Sequence, residues 1–468
     1  MKPNFKHIDC DQKTADSHLD LSGCSLEFLK YVDQRPGSFV LSNYDSLDLN
    51  NELFQLQPWP TFINQRAKKE IAIASEQVFG LVKRLPERFF GGDRERMQSY
   101  YNYSPALLDS LLEGYRDDRM DDLLARGDFI LADSGWKCLE YNVSAHLGGW
   151  QVPMWEALYL KHPVIDGFIK ERDLELKQKN LLTALMEHSI DSVFRKHNGK
   201  IDVVNVALTL EDEAIRESNY LRLYVNNLFQ QILLAKYPGV RGEFICCTFN
   251  HLDLVDDCLM YKDKRVDLMI ELYHGAVPPE VVKAFKAGNV ILFNGPVTGL
   301  ISNKLNLAIL SEHKDSGIFS DEEREIIEKY IPWTRKVKRG TVDYHGSQVE
   351  LIDFMIENKD RMVIKSGDGL GGKEVVIGHN TDADQWKQDV DEALNFGNWL
   401  VQEFHESVPY IYQFGENGTA VHDAVWGFFI LGREYAGGWL RVLPKVHNKG
   451  VVNCHQGARV SIIWEVEE

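Results

Sequence analysis

The chain has 468 residues, of which 44% are hydrophobic and 26% charged, and its formal net charge is −18. That length exceeds one ordinary core and implies two or three domains, while the composition excludes wholesale disorder. The acidic balance argues against a nucleic-acid binder or a protein of anionic membrane surfaces, since both need clustered Lys and Arg.

Seven scattered cysteines (Cys10, Cys24, Cys138, Cys246, Cys247, Cys258 and Cys454) include no CxxC pair, which fits reduced thiols better than a disulfide framework or a zinc site. The first residues carry no apolar signal core, and no apolar run approaches the ~18 residues of a membrane span. A cytoplasmic protein, with neither nucleic acid nor membrane as partner, is expected.

Residues 1–120 read mainly as helix and loop, with helical spacing over Val78–Leu85 and Ala106–Tyr115. Pro58 and Pro60 mark a break, and the run Trp59–Phe62 is a packing anchor or a substrate contact, with packing favoured. Phe129–Ala132, the turn Asp133-Ser134-Gly135 and Trp136–Tyr141 predict a β-hairpin. Glu140 and Asn142 are two apart and so share a face, with Asp128 near the same end of the partner strand.

From 195 to 300 strand alternates with helix: Ile201–Leu210, helix Tyr220–Leu234, then Gly242–Thr248, Val266–Leu272 and Val290–Phe293. This predicts a mostly parallel, doubly wound sheet, without the GxGxxG of a dinucleotide site. Asn303–Glu312 reads as a helix with Lys304 in its first turn. Ser320-Asp321-Glu322-Glu323 is a capping box, and Pro332 closes the helix it opens. Val349–Glu357 is again predicted helical. Then come the strand Val363-Ile364-Lys365, the glycine loop Ser366–Gly372, the strand Glu374–Gly378, a helix around 381–394 and the strand Trp399–Phe404. Strand-like runs fill 420–468.

Four features converge on Mg·ATP. Asp128, Glu140 and Asn142 are hard oxygen donors of the kind Mg²⁺ shares with phosphates. Lys304 and Lys365 can neutralise phosphate charge. The glycine loop lets backbone N–H groups approach phosphate oxygens. Val401-Gln402-Glu403-Phe404 offers backbone amides and apolar side chains for adenine. Singly, each has a bland reading: a turn, a solvated strand edge, an exposed helix lysine. Their coincidence in one chain carries the argument. His146 is a candidate base or a structural histidine, and Trp150–Trp155 an acceptor pocket or a cap on the sheet.

The set resembles the circularly permuted ATP-grasp family, as in the synthetase domain of glutathionylspermidine synthase and related bacterial carboxylate–amine ligases. The R-x-D and E-x-N motifs are matched by Arg126-Gly127-Asp128 and Glu140-Tyr141-Asn142, and the S-N-K helix start by Ser302-Asn303-Lys304. The grasp lysine and loop match Lys365 and Gly369–Gly372, the hinge Val401-Gln402-Glu403, and the G-G-x-x-R element Gly437-Gly438-Trp439-Leu440-Arg441. Asn453 and Gly457-Ala458 look like the closing strands. The resemblance covers about 120–150 and 295–468; no amidase domain accompanies it, and 1–120 matches no known element.

What the resemblance implies is an α/β (α+β) fold: a circularly permuted ATP-grasp core, an embedded pre-grasp-like doubly wound α/β domain and an N-terminal mainly helical region. The expected divisions are 1–120, 121–155 for the metal-binding strands, 156–300 for the substrate domain, 301–405 for the nucleotide-gripping part and 406–468 for the closing strands. It further implies an ADP-forming ligase that joins a small-molecule or peptide carboxylate to an amine of the amino-acid or polyamine class, through an acyl phosphate. A carrier-bound substrate stays open. Asp128, Glu140 and Asn142 would hold Mg²⁺. Lys304, Lys365, Gly367, Gly369, Gly371, Gly372, Gln402, Glu403 and Phe404 would hold ATP, and Arg126 and Arg441 would stabilise transferring charge. The alternatives are a small-molecule kinase, a ligase activating an enol or vinylogous acid, and a non-catalytic ATP-binding module.

Overall fold

A computed structural model of the chain describes residues 5–35, 54–113, 115, 117–177, 179–211, 219–272, 277–369, 374–415, 418–448 and 450–467. Helices Gln12–Leu21 and Gly23–Asp33 start at capping side chains, with Asp11 accepting from the Thr14 N–H and Ser22 from the Ser25 N–H. Strand β1 (Thr61–Asn64) follows the proline pair. Its last residue caps helix Gln65–Val82, so the helical signal at Val78–Leu85 is largely the end of a longer helix. The second predicted helix spans Pro105–Leu111. Trp59 is buried edge-on to Phe28 at 6.1 Å, a packing role.

Strands β2 (Leu124–Ala132) and β3 (Gly135–Val143) form the predicted hairpin. Its register sets Arg126 opposite Asn142 and Asp128 opposite Glu140, with an irregularity just after Asp128. Directly opposed residues share a face, so all four project together. A short β4 (Leu176–Lys177) follows.

The α/β unit holds β5 (Val203–Thr209) and β6 (Arg241–Cys247), a small meander of β7 (Leu252–Val255), β8 (Cys258–Tyr261) and β9 (Lys264–Arg265), then β10 (Leu268–Glu271) and β11 (Ile291–Phe293). Its main sheet has the order β11-β10-β5-β6 and is parallel throughout, as the strand–helix alternation predicts. The sequence signals do not predict the meander: its strands are two to four residues long, too short to show a periodic pattern.

A four-stranded antiparallel sheet follows, built from β12 (Thr334–Lys336), β15 (Met362–Ser366), β16 (Val375–Ile377) and β17 (Trp399–Glu403) in the order β12-β17-β15-β16. Between its first two strands lies a hairpin, β13 (Thr341–Tyr344) and β14 (Ser347–Glu350). This corrects the predicted helix over Val349–Glu357: Val349 pairs with Val342, and the helix runs only Leu351–Glu357. The His345-Gly346 turn, both residues at positive φ, fixes the hairpin. The capping box at Ser320 forms as predicted.

The last strands are β18 (Tyr410–Phe414), β19 (Gly418–Leu431), β20 (Glu434–Pro444) and β21 (Arg459–Val466). The central sheet runs β1-β21-β20-β19-β2-β3, with β18 also on β19 and β4 also on β21. The N-terminal region therefore supplies an edge strand to this sheet. Trp155, Trp426, Trp439 and Trp464 are fully buried around it. All seven cysteines are free thiols. Among the described residues no helix is long and apolar enough to cross a membrane.

Candidate active site

The chemistry-bearing side chains meet where the β2–β3 hairpin faces β15 and β17. Side chains alternate along β15, so Ile364 enters the small sheet's own core while Val363 and Lys365 face the cleft. Gln402 on β17 is the partner of Val363 and lies beside them. Across the gap stand Ile130, Leu139, Val425 and Val452 from the central sheet and its closing segment. The space between is a cleft of about 230 Å³. Its apolar walls come from two different sheets, and one end is charged.

At that end Asp128 is nearly fully buried. Arg126 grips it in bidentate fashion, Nε to Oδ1 at 2.8 Å and Nη2 to Oδ2 at 3.1 Å. The Asn142 amide donates to the same Oδ2 at 3.1 Å. Arg441 Nη2 lies 2.9 Å from Oδ2 as an ion pair, while its buried Nε has no hydrogen-bond partner among the described residues. Burial pushes the Asp128 pKa up, but the two guanidiniums outweigh it and hold the carboxyl below its usual range. Asp128 thus anchors two arginines, with both oxygens already engaged.

Glu140 is less encumbered. Lys304 Nζ stands 3.3 Å from Oε2, and the Asn142 amide donates weakly to Oε1 at 3.4 Å. Lys304 Nζ also donates to the Gly369 carbonyl. Lys304 is the N-cap residue of helix Leu305–His313, one position before the predicted first turn. Lys365 donates to Gln402 Oε1 at 2.7 Å and to the Leu139 carbonyl at 3.3 Å. Burial pulls its ammonium down to about 8, opposed by the Glu140 carboxylate.

Arg126, Asp128, Glu140, Asn142, Lys304, Lys365, Gln402 and Arg441 therefore share one polar cluster, although they span more than three hundred residues of chain. Two expected roles change. The Glu403 and Phe404 amides donate to the Trp333 and Arg361 carbonyls at 2.8 Å each, so sheet pairing uses the amides expected to read adenine. The two residues line the cleft with other atoms. The Glu403 carboxylate meets Tyr344 and Arg361 at 3.0 and 3.4 Å.

In the glycine loop the Gly367 amide donates to the Asn398 carbonyl at 2.8 Å and that of Gly369 to Ser366 at 3.4 Å. The described start of the loop, through Gly369, folds onto β17's flank instead of presenting these two amides outward. A Cβ on Gly367 would come 2.8 Å from that carbonyl, so only glycine permits the approach. Gly371 and Gly372 lie outside the described residues.

His146 is exposed on a loop, with its amide on Ser144 Oγ at 2.9 Å. Trp155 stacks on Trp439 at 6.1 Å as a cap, whereas Trp150 borders a second cavity. Sequence reasoning missed His405, Ser407, Asp423, Lys445 and Asn448, which also line the cleft. For Asp423 a signal existed: it shares the period-2 face of Val425 on β19, and Val425 opposes Arg441.

No protein-family model matches the sequence, and no curated protein matches it. Among solved structures, a glutathione synthetase-like effector from Globodera pallida, in apo form, matches with a TM-score of 0.58 and 12% identity over 98% of this chain and 100% of that one. A candidate gamma-glutamylcysteine synthetase from Methylobacillus flagellatus matches with a TM-score of 0.38 and 11% identity over 79% and 82% of the two chains. D-alanyl-alanine synthetase A from Vibrio cholerae gives 0.24 and 12% over 49% and 67%. At 12% identity it is the fold that the first of these structures shares with this chain, α/β of the ATP-grasp type.

Proposed function

We propose that the protein is an ATP-dependent carboxylate–amine ligase working through an acyl phosphate. The observation that carries this reading is the buried Arg441 guanidinium, its Nε without a partner among the described residues, at the charged end of an apolar slot between two sheets. A buried unpaired donor is costly unless an anion completes it. Triphosphate oxygens at that end, with adenine between the apolar walls, would satisfy both halves of the cleft.

The residues also fit a cation, with Asp128 already committed to two guanidiniums. Glu140 and the Asn142 amide oxygen are the donors least engaged, and one or two protein ligands plus phosphate oxygens suffice for Mg²⁺. Mg²⁺ held there would offset the phosphate charge. Asp128 acts instead through Arg126 and Arg441, keeping both guanidiniums aimed at one place.

In the reaction a substrate carboxylate oxygen attacks the γ-phosphorus, the bond from that phosphorus to the β-bridging oxygen breaks, and ADP leaves. Lys304, Lys365 and Arg441 stabilise the charge that shifts to ADP and the acyl phosphate. An amine then adds to the acyl carbon, losing a proton, and inorganic phosphate departs.

The test is hydroxylamine trapping with Mg·ATP and pooled carboxylic acids, read by mass spectrometry alongside ADP release. Hydroxamate formation is expected. ADP and a phosphorylated product without hydroxamate would replace this reading with the kinase one. ATP binding without any turnover would favour a non-catalytic module.

A further inference from the structure

A second cavity, of about 100 Å³, lies beside the charged cluster. Leu124 and Ala125 on β2, Phe429 and Leu431 on β19, and Leu147 and Trp150 on the loop after β3 form its near wall. Its far wall comes from the α/β unit, with Leu208 and Ile270 near the carboxyl ends of the parallel strands β5 and β10. That end of a parallel sheet is where open α/β units place ligands. No charged side chain is among its described lining residues.

The cavity adjoins Arg126 from three directions. Leu124 shares the Arg126 face of β2, two residues away. Phe429 is the register partner of Arg126 on β19. Leu147 lines the cavity, and its carbonyl accepts from Arg126 Nη1 at 2.6 Å. One face of the central sheet thus carries, in sequence, the apolar cleft with Val425, the guanidinium cluster, and then this cavity. Gly148 and Gly149 bring the loop down onto that face: a Cβ on Gly149 would meet Phe429 at 2.2 Å, and one on Gly148 would meet Trp439 at 2.5 Å.

We propose that this cavity receives the hydrocarbon side chain of the carboxylate substrate, a group of roughly four to six carbons, while the carboxylate sits at Arg126. The size follows from apolar cavities of roughly 150 Å³, which take a benzene ring. The proposal rests on the ligase reading for the identity of the ligand as substrate. It selects an aliphatic or aromatic acid over a polyamine-like or polyanionic one, because none of the described lining residues compensates a buried charge.

The experiment is equilibrium binding, by intrinsic tryptophan fluorescence, of unbranched and branched carboxylates from acetate to 3-phenylpropanoate, with a non-hydrolysable ATP analogue present. Trp150 in the wall supplies the signal. Affinity should rise about fourfold per added methylene until the cavity is full, then level off. Two variants fill the space from different elements, Ala145→Leu from the loop and Val225→Phe from helix Asn219–Lys236. Each should abolish the gain for the longer acids while leaving affinity for the ATP analogue unchanged, which shows that the variant folds. Affinity independent of chain length, or a chain-length gain that survives both fillings, would overturn the proposal. Chain-length-dependent binding without hydroxamate or ADP formation would sink the ligase reading alone and leave the cavity as an apolar-acid site.

Discussion

Glu140 and Lys365 give the most direct tests at the scale of single residues. Glu140 combines a carboxylate with few internal bonds, so Glu140→Gln keeps its shape and removes its charge. Circular dichroism and melting temperature should stay close to those of the parent. Turnover should fall at least a hundredfold, and near-normal turnover would refute its place in the site. Lys365 titrates at about 8 because burial disfavours its charge. ATP affinity should therefore weaken as pH rises from 7 to 9, since the depressed ammonium loses its proton in that window. Lys365→Arg should bind ATP more weakly but without that slope, because guanidinium stays charged. Calorimetric titrations across the range distinguish the two.

Among the elements, the glycine loop is the part whose position depends on a distant segment. Tyr103, between helices Arg94–Tyr101 and Pro105–Leu111, donates to Asp368 Oδ1 at 2.6 Å, and the Asn303 amide reaches the same oxygen at 2.8 Å. The N-terminal region thus holds the described start of the loop, and none of its own described residues lines the cleft. Tyr103→Phe removes the hydroxyl that donates to this carboxylate and accepts from the Asn303 amide at 2.7 Å, a net loss of about 1 kcal/mol at a partly exposed site. The KM for ATP should rise about fivefold with kcat little changed, and amide exchange should quicken at Ser366–Gly369. Unchanged exchange would mean that the loop is fixed by Asn303 and Asn398 alone.

For the molecule as a whole, acid stability should be set by buried neutral histidines. His18 accepts from the Ile411 amide at 3.0 Å and bonds Ser25 at 2.9 Å through its other nitrogen, so helix Gln12–Leu21 is tied to β18 by a neutral ring. Burial drives its pKa down to about 3, and that of His422 down to about 4. Both bind a proton in the unfolded chain near the ordinary 6.5 and resist it in the folded one. Their contribution is complete above 6.5 and is lost as pH falls toward 4. Urea midpoints measured from pH 7 to 4 should drop, and His18→Gln should flatten part of that drop while lowering the midpoint at pH 7.

Much of the site was legible because its first half is local. Asp128, Glu140 and Asn142 sit on one hairpin, where alternation and a tight turn dictate the shared face, and Lys365 and Gln402 each end a short apolar run that reads as a strand. The parallel α/β unit was legible for the same reason. Val349 was not, because a short apolar run suits helix and strand alike, and only pairing with Val342 decided it. Tertiary structure alone decided the rest. Which amides remain available depends on what a neighbouring strand leaves unpaired, and Phe404 lost its own to Arg361. Whether Asp128 meets a cation or two guanidiniums depends on bringing Arg441 back across β19. The apolar cavity draws walls from residues 124 to 431, so no window of sequence contains it. The sequence by itself determined which chemistry the chain carries, since residue types and local periodicity are properties of short segments. Partner choice and enclosed space are long-range properties, and they arise only when distant segments exclude water together.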